Sequence, residues 1–320
     1  MGINAAPLAA ARTGVGRYIA GLLDALAAAK PDGVRARPLF LPGAPARGIR
    51  GLVKRLPFAY PLADAARAAT LLCVRPSVYH ETNHVAPAFA GPVVVTVHDL
   101  STLLHPHTQE PARARYFARK LRRARSAARV IVPTDAIGRE IVEHLGVRRD
   151  RVRVIHHGVD ARFVPGDVPR KGFVLYVGDD GPRKGLPTLR VALPQDVELK
   201  LAGPGHGYVG DDELLALYRG AAVLVLPSLY EGFGFPLLEA MACGTPSIAS
   251  DDPALVEVSG GAALHFPRGD AGALHILLRR LLRDRALRDE LSRKGLERAS
   301  AFRWDRCAWL HAEVYREAAR

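Results

Sequence analysis

A chain of 320 residues, 48% hydrophobic, with no long low-complexity tract and no apolar run of ~18 residues, is neither disordered nor membrane-spanning, and two globular domains are expected. Three widely spaced cysteines, Cys73, Cys243 and Cys307, build no disulfide framework, and no signal peptide opens the chain, so free thiols in the cytoplasm are expected. The net charge of +13 is compatible with nucleic acid, an anionic lipid surface, or an arginine-rich composition alone.

Met1 to Ile3 reads as a short strand, and Arg12-Thr-Gly-Val-Gly16 leads into a helix from about Arg17 to Ala29. Gly14 and Gly16 permit close backbone approach at a helix N-terminus, where free N–H groups favour phosphate, although two glycines in a loop also mark a plain turn. Residues 34 to 76 alternate weak strand and helix signals. Ser77 to His80 is a strand with Glu81, Asn83 and His84 at its mouth. Pro92 to Val97 is a buried strand that delivers His98 and Asp99 at its carboxyl end, the edge where open α/β sheets bind ligands. With His105 and His107 this pair also has the chemistry of metal ligands, but Pro106 interrupts the segment and no cysteine or helical His-Glu-x-x-His pattern supports it.

Arg113 to Arg129 carries eight basic residues in a helical pattern with Tyr116, Phe117 and Leu121. Such a helix lies on an anionic membrane surface or simply presents a solvated face. A strand at Ala128 to Val132, a helix capped by Thr134 and running to Leu145, and a strand at Val152 to Ile155 complete the first half. Phe163 to Gly172, rich in proline and glycine, is the expected linker.

The second half opens with a buried strand, Phe173 to Val177, and a turn carrying Arg183 and Lys184. A strand at Val197 to Leu201 and a helix at Asp211 to Gly220 follow. Ala222 to Leu226 is a further buried strand, followed by Gly232, Gly234 and Pro236, the last suited to the first helical position. The helix runs from Leu237 to Ala242 and ends at Gly244 and Pro246. Backbone N–H groups of Gly234, Phe235 and the helix start, with Pro236 and Leu237 completing the turn, form a candidate anion site. Glu231 and Glu239 bracket it with seven residues between them. Carboxylates do not bind phosphate, so beside an anion site they suit hydroxyl groups, as on a sugar; Glu239 alone is equally explained by the positive helix end. A strand at Ser247 to Ala249, a turn and helix at Asp251 to Val258, a helical stretch at Asp270 to Ala301 and a final helix from Trp304 close the chain.

The string from Pro227 to Pro246, with Glu231-x7-Glu239, Gly-Phe-Gly-Phe-Pro between and Glu-Ala-Met-Ala-Cys-Gly-Thr-Pro after, resembles the nucleotide-sugar signature of the retaining Glu-x7-Glu glycosyltransferases, group 1 or family four. The likeness covers nearly the whole chain and is closest to bacterial mannosyltransferases of polysaccharide assembly. It implies two Rossmann-like α/β domains facing across a cleft, the GT-B fold, at 1–165 and 166–303, with a terminal helix at 304–320 returning to the first. The second domain is unusually short, because relatives insert a helix and strand before Gly207-Tyr-Val209.

By the same resemblance Glu231 contacts the transferred sugar and Glu239 the nucleotide ribose. His98, paired with Asp99, faces donor sugar and acceptor; Arg183 and Lys184 neutralise the donor diphosphate, helped by the backbone at Gly14 and Gly16. Asp179 and Gly185 depart from the family's usual arginine and asparagine. The implied reaction transfers a sugar, mannose first, from a GDP-sugar or UDP-sugar to a carbohydrate or lipid-linked acceptor, with retention and without a required cofactor or protein-bound metal. Peripheral membrane association through Arg113 to Arg129 is allowed, and nucleic acid is disfavoured. The alternatives are a nucleotide-sugar epimerase of similar fold and an inactive, glycosyltransferase-like binding scaffold.

Overall fold

The computed structural model describes residues 1–9, 13–40, 59–83, 88–108, 111–167, 169–207 and 209–320; Arg12, His84, Tyr208, the stretch 41–58 and the side chain of Arg113 lie outside the described residues. The first half contains β1 (Gly2–Asn4), α1 (Gly14–Ala29), β2 (Arg37–Leu39), α2 (Ala59–Val74), β3 (Tyr79–Glu81) and β4 (Val93–Thr96). It continues with α3 (Ser101–Leu104), α4 (Pro111–Leu121), β5 (Arg129–Val132), α5 (Asp135–Leu145) and β6 (Val152–Val154). Its strands form a parallel sheet of order β2-β1-β3-β4-β5-β6. Alternation decides the packing: Val94 and Ile131 face α1 residues Ile19 and Leu22, while Val95, Val130 and Val132 face Leu121, Ile137 and Ile141 on the other side. With both faces covered, these strands must read as apolar runs.

The second half repeats the plan with β7 (Val174–Val177), α6 (Leu186–Ala192), β8 (Leu199–Ala202), α7 (Asp211–Gly220), β9 (Val223–Leu226) and α8 (Phe235–Ala242). Then come β10 (Ser247–Ser250), α9 (Pro253–Ser259), β11 (Leu264–Phe266), α10 (Ala271–Arg283) and α11 (Arg285–Ser300). The order is β11-β10-β9-β7-β8, again parallel. The connection between β8 and α7 holds no further helix or strand among its described residues. Each sheet reverses its winding once, between β1 and β3 and between β7 and β9. The loops leaving the carboxyl ends of these strands lie at such switch points, where α/β sheets bind ligands.

The last helix, α12 (Trp304–Ala319), returns to pack on α1, contributing Cys307, Ala308 and Val314 to the first core. A buried polar chain fastens it. His311 Nδ1 is 2.7 Å from the Cys307 carbonyl, His311 Nε2 2.8 Å from the Tyr18 hydroxyl, and that hydroxyl 2.9 Å from Thr96 Oγ1. Thr96 Oγ1 meets His80 Nε2 at 2.8 Å, and His80 Nδ1 meets the Tyr315 hydroxyl at 2.8 Å. Because a carbonyl only accepts, His311 Nδ1 donates, and every following donor is then determined in turn: Tyr18 to His311, Thr96 to Tyr18, His80 to Thr96, Tyr315 to His80.

Some expectations are revised. Helix α1 starts at Gly14, with Thr13 as its N-cap, so Gly14 and Gly16 belong to its first turn rather than to a preceding loop. Strands β2 and β11, three residues each, are edge strands that were not among the expected elements. The stretch 270–301 is two helices, because Asp284 leaves helical geometry (φ −92°, ψ 97°) and caps α11 by accepting from the Leu287 N–H. The basic run is not one amphipathic helix: α4 ends at Leu121, a 3-10 turn covers Arg122–Ser126, and Arg129 lies in β5. Lys120 is buried against Asp64, Arg125 Nε donates to the Leu145 carbonyl, and Arg129 Nε bonds Glu317 at 2.7 Å. Among the described residues no helix is long and apolar enough to cross a membrane.

Candidate active site

The apolar run of β9 ends at Leu226, and the chain turns through Pro227 to Gly234. Gly185 packs so closely on the Pro227 carbonyl, at φ 68°, that a β-carbon there would collide with it. That approach seats the 3-10 turn Pro182–Lys184 beside the β9 loop, where the Leu229 N–H bonds the Arg183 carbonyl at 2.7 Å. Glu231, 8% exposed, is held from several sides: Lys184 Nζ lies 2.6 Å from Oε1, Ser228 Oγ donates to the same oxygen at 2.8 Å, and Arg183 Nη1 stands 3.7 Å from Oε2. The Glu231 N–H donates to Asp252 Oδ2 at 3.2 Å, while Asp252 Oδ1 caps α9 at Ala254 and Leu255. Burial and the nearby Glu231 charge raise the Asp252 carboxyl to about 6.

At the start of α8 the sequence expectation shifts by one residue: Phe235 is the first helical position and Pro236 the second, after Gly234 at φ 87°. The Leu237 N–H is spent on the Gly234 carbonyl at 3.0 Å, and Pro236 has none, so the amides of Gly234 and Phe235 are the anion-binding candidates here. Likewise the Gly16 N–H is taken by Thr13 Oγ1 at 3.2 Å. The two helix starts meet: a β-carbon at Gly14 would sit 3.5 Å from the Phe235 ring. Glu239 is 2% exposed on α8, with Tyr218 donating to Oε2 at 2.7 Å and Arg17, from α1, paired with Oε1.

His98 stands on the first-sheet wall. Its Nε2 is 2.9 Å from the Thr82 carbonyl, so Nε2 carries the proton and Nδ1 is left as an acceptor; burial lowers the ring's pKa. Asp99 accepts from the Ser101 N–H at 2.8 Å and so shapes the loop. The His98 carbonyl lies against Gly232, where a β-carbon would collide with it, and Thr134 Oγ1 donates to the Gly232 carbonyl at 3.1 Å. His157, 1% exposed, is stacked on Phe235 (centroids 5.3 Å apart, planes at 11°) and lies 5.6 Å from the His98 ring; its Nδ1 has no partner among the described residues.

Further contacts cross between the halves. Glu257 accepts from the Asp135 and Ala136 N–H groups at 2.8 and 3.1 Å, at the start of α5, and meets His156 Nε2 at 2.9 Å. The Tyr230 hydroxyl accepts from the Leu100 N–H at 2.8 Å and donates to Glu140 at 2.7 Å.

One cleft at the facing carboxyl edges therefore gathers His98, Arg183, Lys184, Glu231, Gly234, Phe235 and Glu239, with Gly14 and Gly16 adjoining. His105 and His107 have ring centroids 6.0 Å apart, and among the described residues no group of three or more His, Cys, Asp or Glu is placed to hold a metal ion. A cavity of about 590 Å³ lined by Phe89, Arg123, Arg129 and Arg151 lies at the opposite, amino-terminal edge of the first sheet, away from these groups. Sequence reasoning missed Arg17, Tyr218, Ser228, Asp252 and His157. Arg17 directly follows the Arg12-Thr-Gly-Val-Gly16 stretch, but no local pattern says that it reaches across the cleft.

In sequence and fold the chain is similar to known glycosyltransferases. Residues 12–163 match the family model Glycosyltransferase Family 4, and residues 205–298 match Glycosyl transferases group 1. The chain is 28% identical over 281 residues to the O-antigen chain mannosyltransferase B of Escherichia coli, covering 75% of this chain and 74% of that protein. It is 30% identical over 278 residues to the D-inositol 3-phosphate glycosyltransferase of Paenarthrobacter aurescens, covering 71% of this chain and 67% of the relative. The fold matches that of Anabaena HepE, solved in complex with UDP-glucose, with a TM-score of 0.74 at 17% identity over 99% of both chains.

Proposed function

We propose, for a chain that belongs to the group 1, family 4 glycosyltransferases and has their two-domain GT-B fold, that it transfers a hexose from a nucleoside diphosphate donor to a hydroxyl of a carbohydrate or lipid-linked acceptor, with retention at the anomeric carbon. The observation that carries this reading is the convergence of Arg183, Lys184 and the two helix starts on Glu231 and Glu239 at the switch points of both sheets. In the transfer, the bond from the anomeric carbon to the diphosphate breaks and one to the acceptor oxygen forms, while the acceptor proton passes to the departing diphosphate. Negative charge grows on that leaving group. Arg183 and Lys184, already fixed beside Glu231, stabilise it as preorganised electrostatics, with the Gly234 and Phe235 amides adding partial positive charge. Glu231 accepts from sugar hydroxyls, Glu239 from the ribose, and the unprotonated His98 Nδ1 orients the reacting sugar.

Mannose is the first donor sugar, from the likeness to a mannosyltransferase; a uridine base stays open because HepE was solved with UDP-glucose. Residues 1–165 are assigned to the acceptor, 166–303 to the nucleotide sugar, and 304–320 to the returning helix. Exposed Arg115, Arg119 and Arg122 are the candidates for contact with an anionic membrane surface, tested by co-sedimentation with anionic against neutral vesicles. The function is tested by thermal unfolding with GDP, UDP, ADP and their sugar conjugates. A ligand at 100 times its Kd stabilises the native state by about 2.7 kcal/mol. A shift with one nucleotide family, followed by NMR of the product's anomeric proton, supports the reading; a folded sample that none of them stabilises overturns it.

A further inference from the structure

We infer that Arg17 is a positioning residue of the donor site: α1 of the first half holds the Glu239 carboxylate for the ribose hydroxyls, so that ribose recognition is complete only with both halves in place. This rests on the reading of Glu239 given above. Glu239 is nearly inaccessible, and a carboxylate so buried keeps its charge only if partners from the protein replace water. Two partners do so from opposite sides. Tyr218, on the same half, donates to Oε2; Arg17, from the other half, takes Oε1. A carboxylate offers about four lone-pair sites, so each oxygen keeps one for a hydroxyl, and the two partners set the direction in which it points.

Arg17 is itself well anchored. It follows the N-cap Thr13 within the first turn of α1, its guanidinium carbon lies 5.9 Å from the Phe163 ring centre, and its neighbour Tyr18 is bonded to Thr96 and His311. Its side chain is 29% exposed, so it is reachable from the cleft and is not needed to fill a core. The consequence is that a ribose bound at Glu239 of the second half is read through a charge supplied by the first.

The test titrates the wild type, R17A, R17K, E239Q and the R17A/E239Q double variant with the nucleoside diphosphate that stabilises the chain and with its 2′,3′-dideoxy analogue, after thermal melts confirm that each variant folds. The wild type is expected to prefer the ribose form by roughly tenfold, as expected for losing hydrogen bonds to a charged group. E239Q and R17A should each shrink that preference to about twofold or less, the double variant should lose nothing further, and R17K should recover part of it. A donor KM that rises more than kcat falls in R17A would agree. If R17A weakens both ligands equally, or neither, while E239Q removes the preference, Arg17 does not act through Glu239 and the inference fails alone. If the wild type binds no nucleoside diphosphate, or E239Q leaves the preference intact, the reading of the donor site fails first.

Discussion

Acidification should loosen the docking of α12 on α1. His311 is fully buried, with its Nδ1 proton given to the Cys307 carbonyl and its Nε2 accepting from Tyr18, so its neutral form is satisfied at both nitrogens. Protonation would set a second N–H against a hydroxyl that is already a donor, and burial lowers the ring's pKa to about 4. The folded value is depressed, so the unfolded chain takes up the proton first: stability is complete above the free imidazole value of about 6.5 and declines as pH falls towards about 4. The gap is worth about 3 kcal/mol in full and about 2 kcal/mol at pH 5. A loss of that size is a large fraction of a typical domain's ~5–15 kcal/mol. His80 and His157, pushed well below the usual imidazole range by burial, add to the same slope. Denaturant unfolding at pH 8, 7, 6 and 5 measures it. H311Q, which can donate and accept without titrating, should cost some stability at pH 8 but flatten the slope between pH 6.5 and 5 by one group's share. A wild type equally stable at pH 7 and 5, or an H311Q slope identical to wild type, would refute the reasoning.

Removing the Glu257 carboxylate should let the halves separate, because it leaves the Asp135 and Ala136 N–H groups uncapped and His156 without its partner; E257A is expected to lose about 1–2 kcal/mol and to show a larger radius in small-angle scattering, with E257Q intermediate. G232A would drive a methyl group into the His98 carbonyl across the cleft, so kcat/KM should fall at least ~10-fold, about 1 Å of misplacement being costly at a reacting centre. An unchanged rate for G232A would mean that the halves do not face each other this closely during turnover. K184A should lower kcat by ~100-fold with a smaller change in donor affinity, as expected of a group that meets charge developing in the transition state, and stopped initial rates with saturating donor would show it. Equal loss in kcat and in donor affinity would instead make Lys184 a ground-state binder.

Much of this site was written in short stretches. The β9 run, the glycines at 232 and 234 and the pair Glu231 and Glu239 lie within one strand–turn–helix unit, and His98 follows one strand directly, so their placement at a carboxyl edge follows from local pattern. Where local pattern misled, the cause was also local. The Arg113 to Arg129 run has helical spacing, but Lys120 is drawn into the interior by Asp64 and Arg129 by the strand it begins. Leu237 looked like an anion donor, yet its N–H closes the first turn of its own helix.

The sequence by itself determined two parallel α/β units, the glycine turn ahead of α8 and the chemical types proposed to surround a nucleotide sugar, because apolar runs, turn residues and helix starts act over a few neighbours. Only the tertiary structure decided what those groups touch. Arg17 and Glu239 are 222 residues apart, and Asp135 and Glu257 are 122 apart. No periodicity spans such distances. These pairs form because two independently wound sheets turn the same edge towards each other and bury the groups between them, where a carboxylate must find a partner from whichever half supplies one.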